Sequence, residues 1–261
     1  MERIITLTTD FGLKDPYQGA MKGAVLSINP KAKLIDITHL VSPGNILEGA
    51  LILLDAYEFF PEGVIHAGVV DPGVGGARKP ILIETKRHFF IGPDNGLFSL
   101  IAQREEVRRV VHLTNQKYFR KDISATFHGR DIFGPVAAHL SLGVDPALFG
   151  EEIKSLQSIE MPQPVKEGGQ IIGEVIYVDS FGNLLTNIKR SDILSCGENI
   201  EVSIKGVSLK GIRNTYSSAE KGAVIALISS SNHLEIAVNS GMASKIIGAE
   251  VGERVLVKVS R

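Results

Sequence analysis

The feature that most constrains this chain is a change of periodicity at residues 156–169. Before it, strand-like and helix-like patterns alternate; after it, short strands follow one another without helices. Residues 3–8 form a β-branched, apolar run that turns at Asp10-Phe11-Gly12. Asp15-Pro16 predicts a helix start, with a carboxylate N-cap and proline at the first helical position. Ala20, Met21, Ala24, Val25 and Ile28 then mark one helical face, which Asn29-Pro30 ends. Lys33–Thr38 reads as the next strand. Asn45 with Glu48 predicts a capping box, opening a helix whose apolar face carries Ile46, Ala50, Leu53, Leu54 and Tyr57. Residues 63–70 form a buried-strand run, residues 81–85 and 88–91 a hairpin turning at Lys86-Arg87, Val107–Leu113 another strand, and residues 132–142 another helix. This alternation predicts an α/β domain with a mostly parallel, layered sheet.

Met161-Pro162-Gln163-Pro164 and Lys166-Glu167-Gly168-Gly169 have the texture of a linker. Beyond them, strands are predicted at residues 171–178, 184–188, 200–204, 223–228, 234–238 and 254–259. That is the pattern of a smaller all-β domain, a barrel or sandwich. The expected domains are residues 1–162 and 163–261.

Composition narrows the function classes. The 261 residues carry a formal net charge of -1, so no global field favours nucleic acid or an anionic membrane as partner. The single cysteine, Cys196, excludes an intrachain disulfide and a multi-thiolate metal site. Met1-Glu2-Arg3 leads directly into the first apolar run without a signal-peptide pattern, which predicts a cytoplasmic protein. Apolar runs such as residues 223–228 fall short of the roughly 20 residues that span a bilayer.

Polar residues gather where strands should end: Asp10 after the first, Asp71 after the third, Asp94-Asn95-Gly96 after the hairpin. Ligands of open α/β sheets bind at such ends, although Asp, Asn, Pro and Gly also simply make turns. The segment Val70-Asp71-Pro72-Gly73-Val74-Gly75-Gly76-Ala77-Arg78 is a tight loop with a carboxylate at one end and a guanidinium at the other. It has neither the spacing of a dinucleotide fingerprint nor the Gly-Lys-Ser/Thr of a P-loop. His128 lies in Phe127-His128-Gly129-Arg130-Asp131. His39, His66, His88, His112, His139 and His233 show no metal-type pairing, and a metal site of Asp10, Asp71, Asp94 and His128 is chemically possible without being demanded by spacing. In the β region, the aromatic and amide of Asp179-Ser180-Phe181-Gly182-Asn183 suit a purine, or equally a hairpin turn. Ser229-Ser230-Ser231-Asn232-His233 offers hydroxyls and amides for a carboxylate, or a plain loop.

Taken in order, Thr9-Asp10-Phe11-Gly12, the Val70–Gly75 segment, Gly92-Pro93-Asp94-Asn95-Gly96, Phe127-His128-Gly129-Arg130-Asp131, Asp179-Ser180-Phe181-Gly182-Asn183 and Leu234-Glu235-Ile236-Ala237-Val238-Asn239 resemble the S-adenosylmethionine hydroxide adenosyltransferases, hydrolytic relatives of fluorinase and chlorinase. The resemblance spans essentially the whole chain. It implies cleavage of S-adenosylmethionine by water to adenosine and methionine, without metal or redox cofactor. It also implies a β-barrel-like C-terminal domain and a homotrimer, whose nucleoside sites lie between one subunit's N-terminal domain and a neighbour's C-terminal domain. By motif, Asp10 would take the ribose hydroxyls, Phe181 and Asn183 the adenine, and Ser230 and Ser231, with Asp179, the methionine end. Glu235, Val238 and Tyr216 would wall the pocket, and Asp71, Arg78 and His128 would hold the water. The halogenases carry tyrosine at the position of Asp71, so a carboxylate here would face the place of a halide and repel it. Halide-dependent cleavage and adenosine binding with negligible turnover are the alternative functions.

Overall fold

The computed structural model describes residues 4–194 and 200–259; Cys196 and the residue at which the first strand was expected to begin, Arg3, lie outside the described residues. The chain divides into two compact units, Met1–Ile159 and Glu160–Arg261.

The first unit is built on a seven-stranded sheet. Its elements run β1 (Ile4–Thr9), α1 (Tyr17–Ile28), β2 (Lys33–Thr38), α2 (Ile46–Ala56), β3 (Ile65–Val69), β4 (Pro80–Thr85), β5 (Phe89–Pro93), a short α3 (Ser99–Ala102), β6 (Val107–Leu113), α4 (Gly134–Ser141) and β7 (Gly150–Glu152). The strand order is β2-β1-β3-β5-β4-β6-β7. The expected mostly parallel sheet is in fact mixed: β2, β1, β3 and β5 are parallel, whereas β4 runs against β5 and β6, and β6 against β7. The cause is the hairpin at Lys86-Arg87, because the three residues between β4 and β5 are too few for a parallel crossover.

Period-2 alternation sets the layers. Ile5 and Leu7 of β1 join Met21 and Val25 of α1, and Phe133, Val136 and Leu140 at α4, in one buried cluster. On the other face Leu53 of α2 packs with Leu97 and Phe98 over Gly68. The Asn45 side chain accepts from the Glu48 amide and its amide donates to the Glu48 carboxylate, so the capping pair opens α2 as expected. Asp15 does not cap α1: Pro16 occupies the N-cap position and makes no side-chain cap bond. The helix expected over residues 132–142 is preceded by a π-helical turn, Gly129–Phe133.

The second unit is an eight-stranded antiparallel sheet. It comprises β8 (Val165–Glu167), β9 (Gln170–Val178), β10 (Leu184–Lys189), β11 (Ile200–Ile204), β12 (Val207–Lys210), β13 (Val224–Ile228), β14 (His233–Val238) and β15 (Arg254–Val259), with a single-turn helix, α5 (Arg190–Leu194), after β10. The order β12-β11-β15-β9-β10-β14-β13, with β8 paired to β9 off this path, nearly closes on itself, since Arg213, beyond β12, bridges to Leu227 of β13. Val175, Leu184, Ile188, Val202, Ile204, Leu234, Ile236 and Val255 fill the interior. Among the described residues, no helix is long and apolar enough to cross a membrane.

Candidate active site

The parallel strands deliver the first set of functional groups to one edge. Asp10 follows β1, Asp71 lies just past β3, and Asn95 just past β5, where its amide donates to Val70 O at 2.8 Å. Because β4 is antiparallel to β5, with Pro80 opposite Pro93, its entrance lies at this same edge and brings Arg78 there. His128 arrives from the π-helical turn. Two glycines allow the approach. Gly75 has φ +74, and a Cβ there would strike the Ala125 carbonyl. A Cβ on Gly129 would stand 2.8 Å from the Phe11 ring.

Arg78 organises the cluster. Its Nε donates to Asp71 Oδ1 and Oδ2 at 3.0 and 2.9 Å, and its Nη2 lies 2.5 Å from Oδ2 and 2.6 Å from His128 Nδ1. The Arg78 and Asp71 side chains are only 9% and 5% exposed, so the pair acts in a low-dielectric setting. Burial and then the guanidinium of Arg78 hold His128 below its ordinary 6.5. A neutral imidazole that accepts through Nδ1 carries its hydrogen on Nε2. Asp10 accepts from the Gly44 amide at 2.9 Å; burial raises its pKa, with a further push from the charge of Asp71. Arg78 thus engages both carboxylate oxygens of Asp71.

The second unit holds a cavity of about 990 Å³. Its lining includes Asp179, Phe181, Asn183, Tyr216, Ser230, Glu235 and Val238, and so unites every sequence-predicted residue of this unit except Ser231. Ser231 instead bonds Ser229 through its hydroxyl at 3.0 Å. Asp179 shapes the loop: Oδ1 accepts from the amides of Phe181 and Asn183 at 2.9 and 2.8 Å, and Oδ2 from the Asn183 side chain at 3.0 Å. This leaves the Phe181 ring 75% exposed on the rim. Tyr216 donates to Glu235 at 2.8 Å. Burial raises the Glu235 carboxyl, and burial with the Glu235 bond pushes Tyr216 up to about 12. Sequence reasoning missed Asn214, Thr215, Ser240, Gly241 and Met242 on the same wall; only the polar texture of residues 214–218 hinted at them. No group of three or more His, Cys, Asp or Glu residues arranged to hold a metal occurs among the described residues.

Residues 5–150 match the SAM hydroxide adenosyltransferase N-terminal domain, and residues 173–256 the C-terminal domain. The chain belongs to the SAM hydroxide adenosyltransferase family. A (R)-S-adenosyl-L-methionine hydrolase of Salinispora tropica is 37% identical over 257 residues, covering 97% of either chain. That of Methanocaldococcus jannaschii is 38% identical, covering 95% of this chain and 92% of its own. A fluorinase of Actinoplanes sp. is more distant, 25% identical over 91% of each chain. A crystal structure of an uncharacterized conserved protein from Thermotoga maritima superposes with a TM-score of 0.91 at 36% identity, covering 97% of this chain and 99% of that one.

Proposed function

We propose that this member of the SAM hydroxide adenosyltransferase family is a hydrolase that splits S-adenosyl-L-methionine into adenosine and L-methionine, using a water held by Asp71, Arg78 and His128. The observation that carries the reading is the Asp71–Arg78–His128 network, with Arg78 Nη2 at 2.5 Å from one partner and 2.6 Å from the other. The hydrolase relatives are named for (R)-S-adenosyl-L-methionine, and that form is the substrate proposed here.

Methionine departs from the sulfonium as a neutral thioether, so the leaving group needs no acid. The protein's task is to orient a water in line with the C5′–sulfur bond and to relieve it of a proton. The water oxygen forms the new bond to C5′, the C5′–sulfur electron pair stays on sulfur, and one water proton passes to the enzyme. Arg78 cannot take it, since its pKa exceeds about 12. His128 spends Nδ1 on Arg78 and presents an Nε2–H donor, which orients the water but does not deprotonate it. The Asp71 carboxylate keeps unused lone pairs and is the proton acceptor in this reading, with Arg78 stabilising the developing hydroxide. The nucleoside end falls to the second unit's cavity, with Phe181 stacking on adenine and Asn183 reading its edge, while Asp10 takes the ribose hydroxyls. Ser230 and Asp179 serve the methionine end; Ser231, turned toward Ser229, serves it only through the loop.

The protein acts in the cytoplasm as a homotrimer in which water-binding residues of one subunit meet the nucleoside pocket of a neighbour. Incubation of the purified protein with S-adenosyl-L-methionine tests the function. Equal amounts of adenosine and methionine are expected. Tight adenosine binding without methionine release would make it a binding protein, and a halogenated nucleoside formed in chloride would make it a halogenase. Sedimentation at three times the chain mass is expected for the assembly.

A further inference from the structure

One histidine without a part in the reaction stands directly behind the ribose-binding turn. His39 follows β2 and is 3% exposed. The β1–β2 register slips between Leu7, opposite Asp36, and Thr8, opposite Thr38. Such a bulge re-aims the side chains beyond it. His39 Nδ1 lies 2.8 Å from Thr9 Oγ1, and Nε2 lies 3.0 Å from Asp36 Oδ1 as an electrostatic contact rather than an aligned hydrogen bond. Asp36 in turn accepts from Lys22 Nζ at 2.6 Å.

A carboxylate oxygen can only accept, so Nε2 carries a hydrogen toward Asp36, and in the neutral imidazole Nδ1 accepts from the Thr9 hydroxyl. Thr9 Oγ1 also accepts from the Phe11 amide at 3.2 Å. The backbone repeats the tie: Gly12 N donates to His39 O at 2.7 Å, and Val41 N to Thr9 O at 3.3 Å. Asp10 is therefore bracketed on both sides by bonds that converge on residues 39–41. An apolar pair would fill the same space with less desolvation. What the polar chain adds is a fixed direction at the His39–Thr9 link, with the Asp36 charge holding the far side of the ring.

We propose that His39 is a positioning residue for ribose recognition: the Asp36–His39–Thr9 chain holds the Thr9–Gly12 turn so that the Asp10 carboxylate is presented ready to accept the ribose hydroxyls. The inference rests on the reading of Asp10 as the ribose ligand. Loss of such preorganisation weakens ground state and transition state alike, and so raises KM without lowering kcat.

The test is calorimetric titration of adenosine and of 2′,3′-dideoxyadenosine into the wild type, Asp10→Ala, His39→Leu, His39→Asn and Asp36→Asn, with kcat, KM and thermal unfolding alongside. His39→Leu is expected to raise the adenosine Kd and the KM together by about tenfold, with kcat within about twofold of wild type. His39→Asn, whose amide can occupy the Nδ1 position, recovers most of the loss. Dideoxyadenosine, which lacks the hydroxyls, binds both His39 variants as it binds wild type, a selectivity that general loosening of the fold would not give. Equal penalties on the two nucleosides, or unchanged adenosine affinity in His39→Leu beside a weakened Asp10→Ala, overturn the proposal alone. Unchanged adenosine affinity in Asp10→Ala overturns the ribose reading and this proposal with it. If His39→Leu does not fold, the half-exposed Asp36→Asn decides: a selective loss of adenosine affinity supports the chain, and none overturns it.

Discussion

In the first unit, Arg78 directs its hydrogen bonds to Asp71 and His128, so the three side chains hold one another in place. In the second, the cavity of about 990 Å³ leaves Phe181 exposed toward solvent, and Asp179 both shapes the loop and lines the cavity. The contrast fits the tasks proposed for the two units. A water must be held by groups that do not move, because small misplacement of reacting atoms is costly in rate. A nucleoside brings its own large surface, so an aromatic rim and a few amides suffice to bind it. Rate should therefore reside in the first unit and affinity in the second.

The largest break in this division is expected from Arg78→Ala, which should lower kcat by about 10³-fold, as loss of a preorganised charge donor does, while adenosine affinity stays near wild type. Because the substitution strands the buried Asp71 carboxylate at a cost of about 3–5 kcal/mol, thermal unfolding must accompany the kinetics. Parallel loss of rate and adenosine affinity would erase the distinction between the units. Next in size, Phe181→Ala and Asn183→Ala should raise KM about tenfold each with kcat little changed, since one stacked base is worth ~1–3 kcal/mol. A fall in kcat instead would place the pocket in the transition state.

The pH profile sharpens the comparison more gently. His128 is held below its ordinary 6.5, so it is neutral at neutral pH and gains a proton only on further acidification. Its protonated form repels Arg78 and can no longer accept from it, so kcat/KM should be flat through neutrality and fall on the acid side; His128→Asn should lose that acid limb. Smallest is a stability effect confined to the first unit. His66 and His88 are buried beside Tyr57 and Phe90, and burial, followed by the charge of His88, lowers His66 to about 3. A folded-state pKa below the unfolded one gives stability that is full above about 6.5 and is lost as pH falls toward the folded value. Hydrogen exchange at pH 5 should therefore expose β3 and β5 before β9 and β10, and uniform exposure would contradict it.

Much of this division was legible in the sequence, and the gaps have physical reasons. The strands β2, β6, β11 and β15 have the predicted limits, because their alternation or β-branched runs are bounded by turn residues. The short strands β7, β8 and β12 carry too few residues for a period to show. The π-helical turn at Gly129–Phe133 adds a residue that helical spacing does not reveal, yet it is what delivers His128. Asp71 and Arg78 could be paired by eye across one glycine-rich loop. His128 stands fifty residues from Arg78, and only the ordered motifs, not any spacing rule, connected them. The mixed sheet is implicit in the predicted hairpin, whose antiparallel pairing reverses β4 and so sets the route of Arg78.

The central claim is that water itself is the nucleophile at C5′. Turnover of S-adenosyl-L-methionine in ¹⁸O-labelled water tests it most directly, read by mass spectrometry of both products. The account predicts one ¹⁸O in the 5′-hydroxyl of adenosine and none in methionine. Unlabelled adenosine, or methionine released beside a nucleoside carrying any other 5′ substituent, would contradict it.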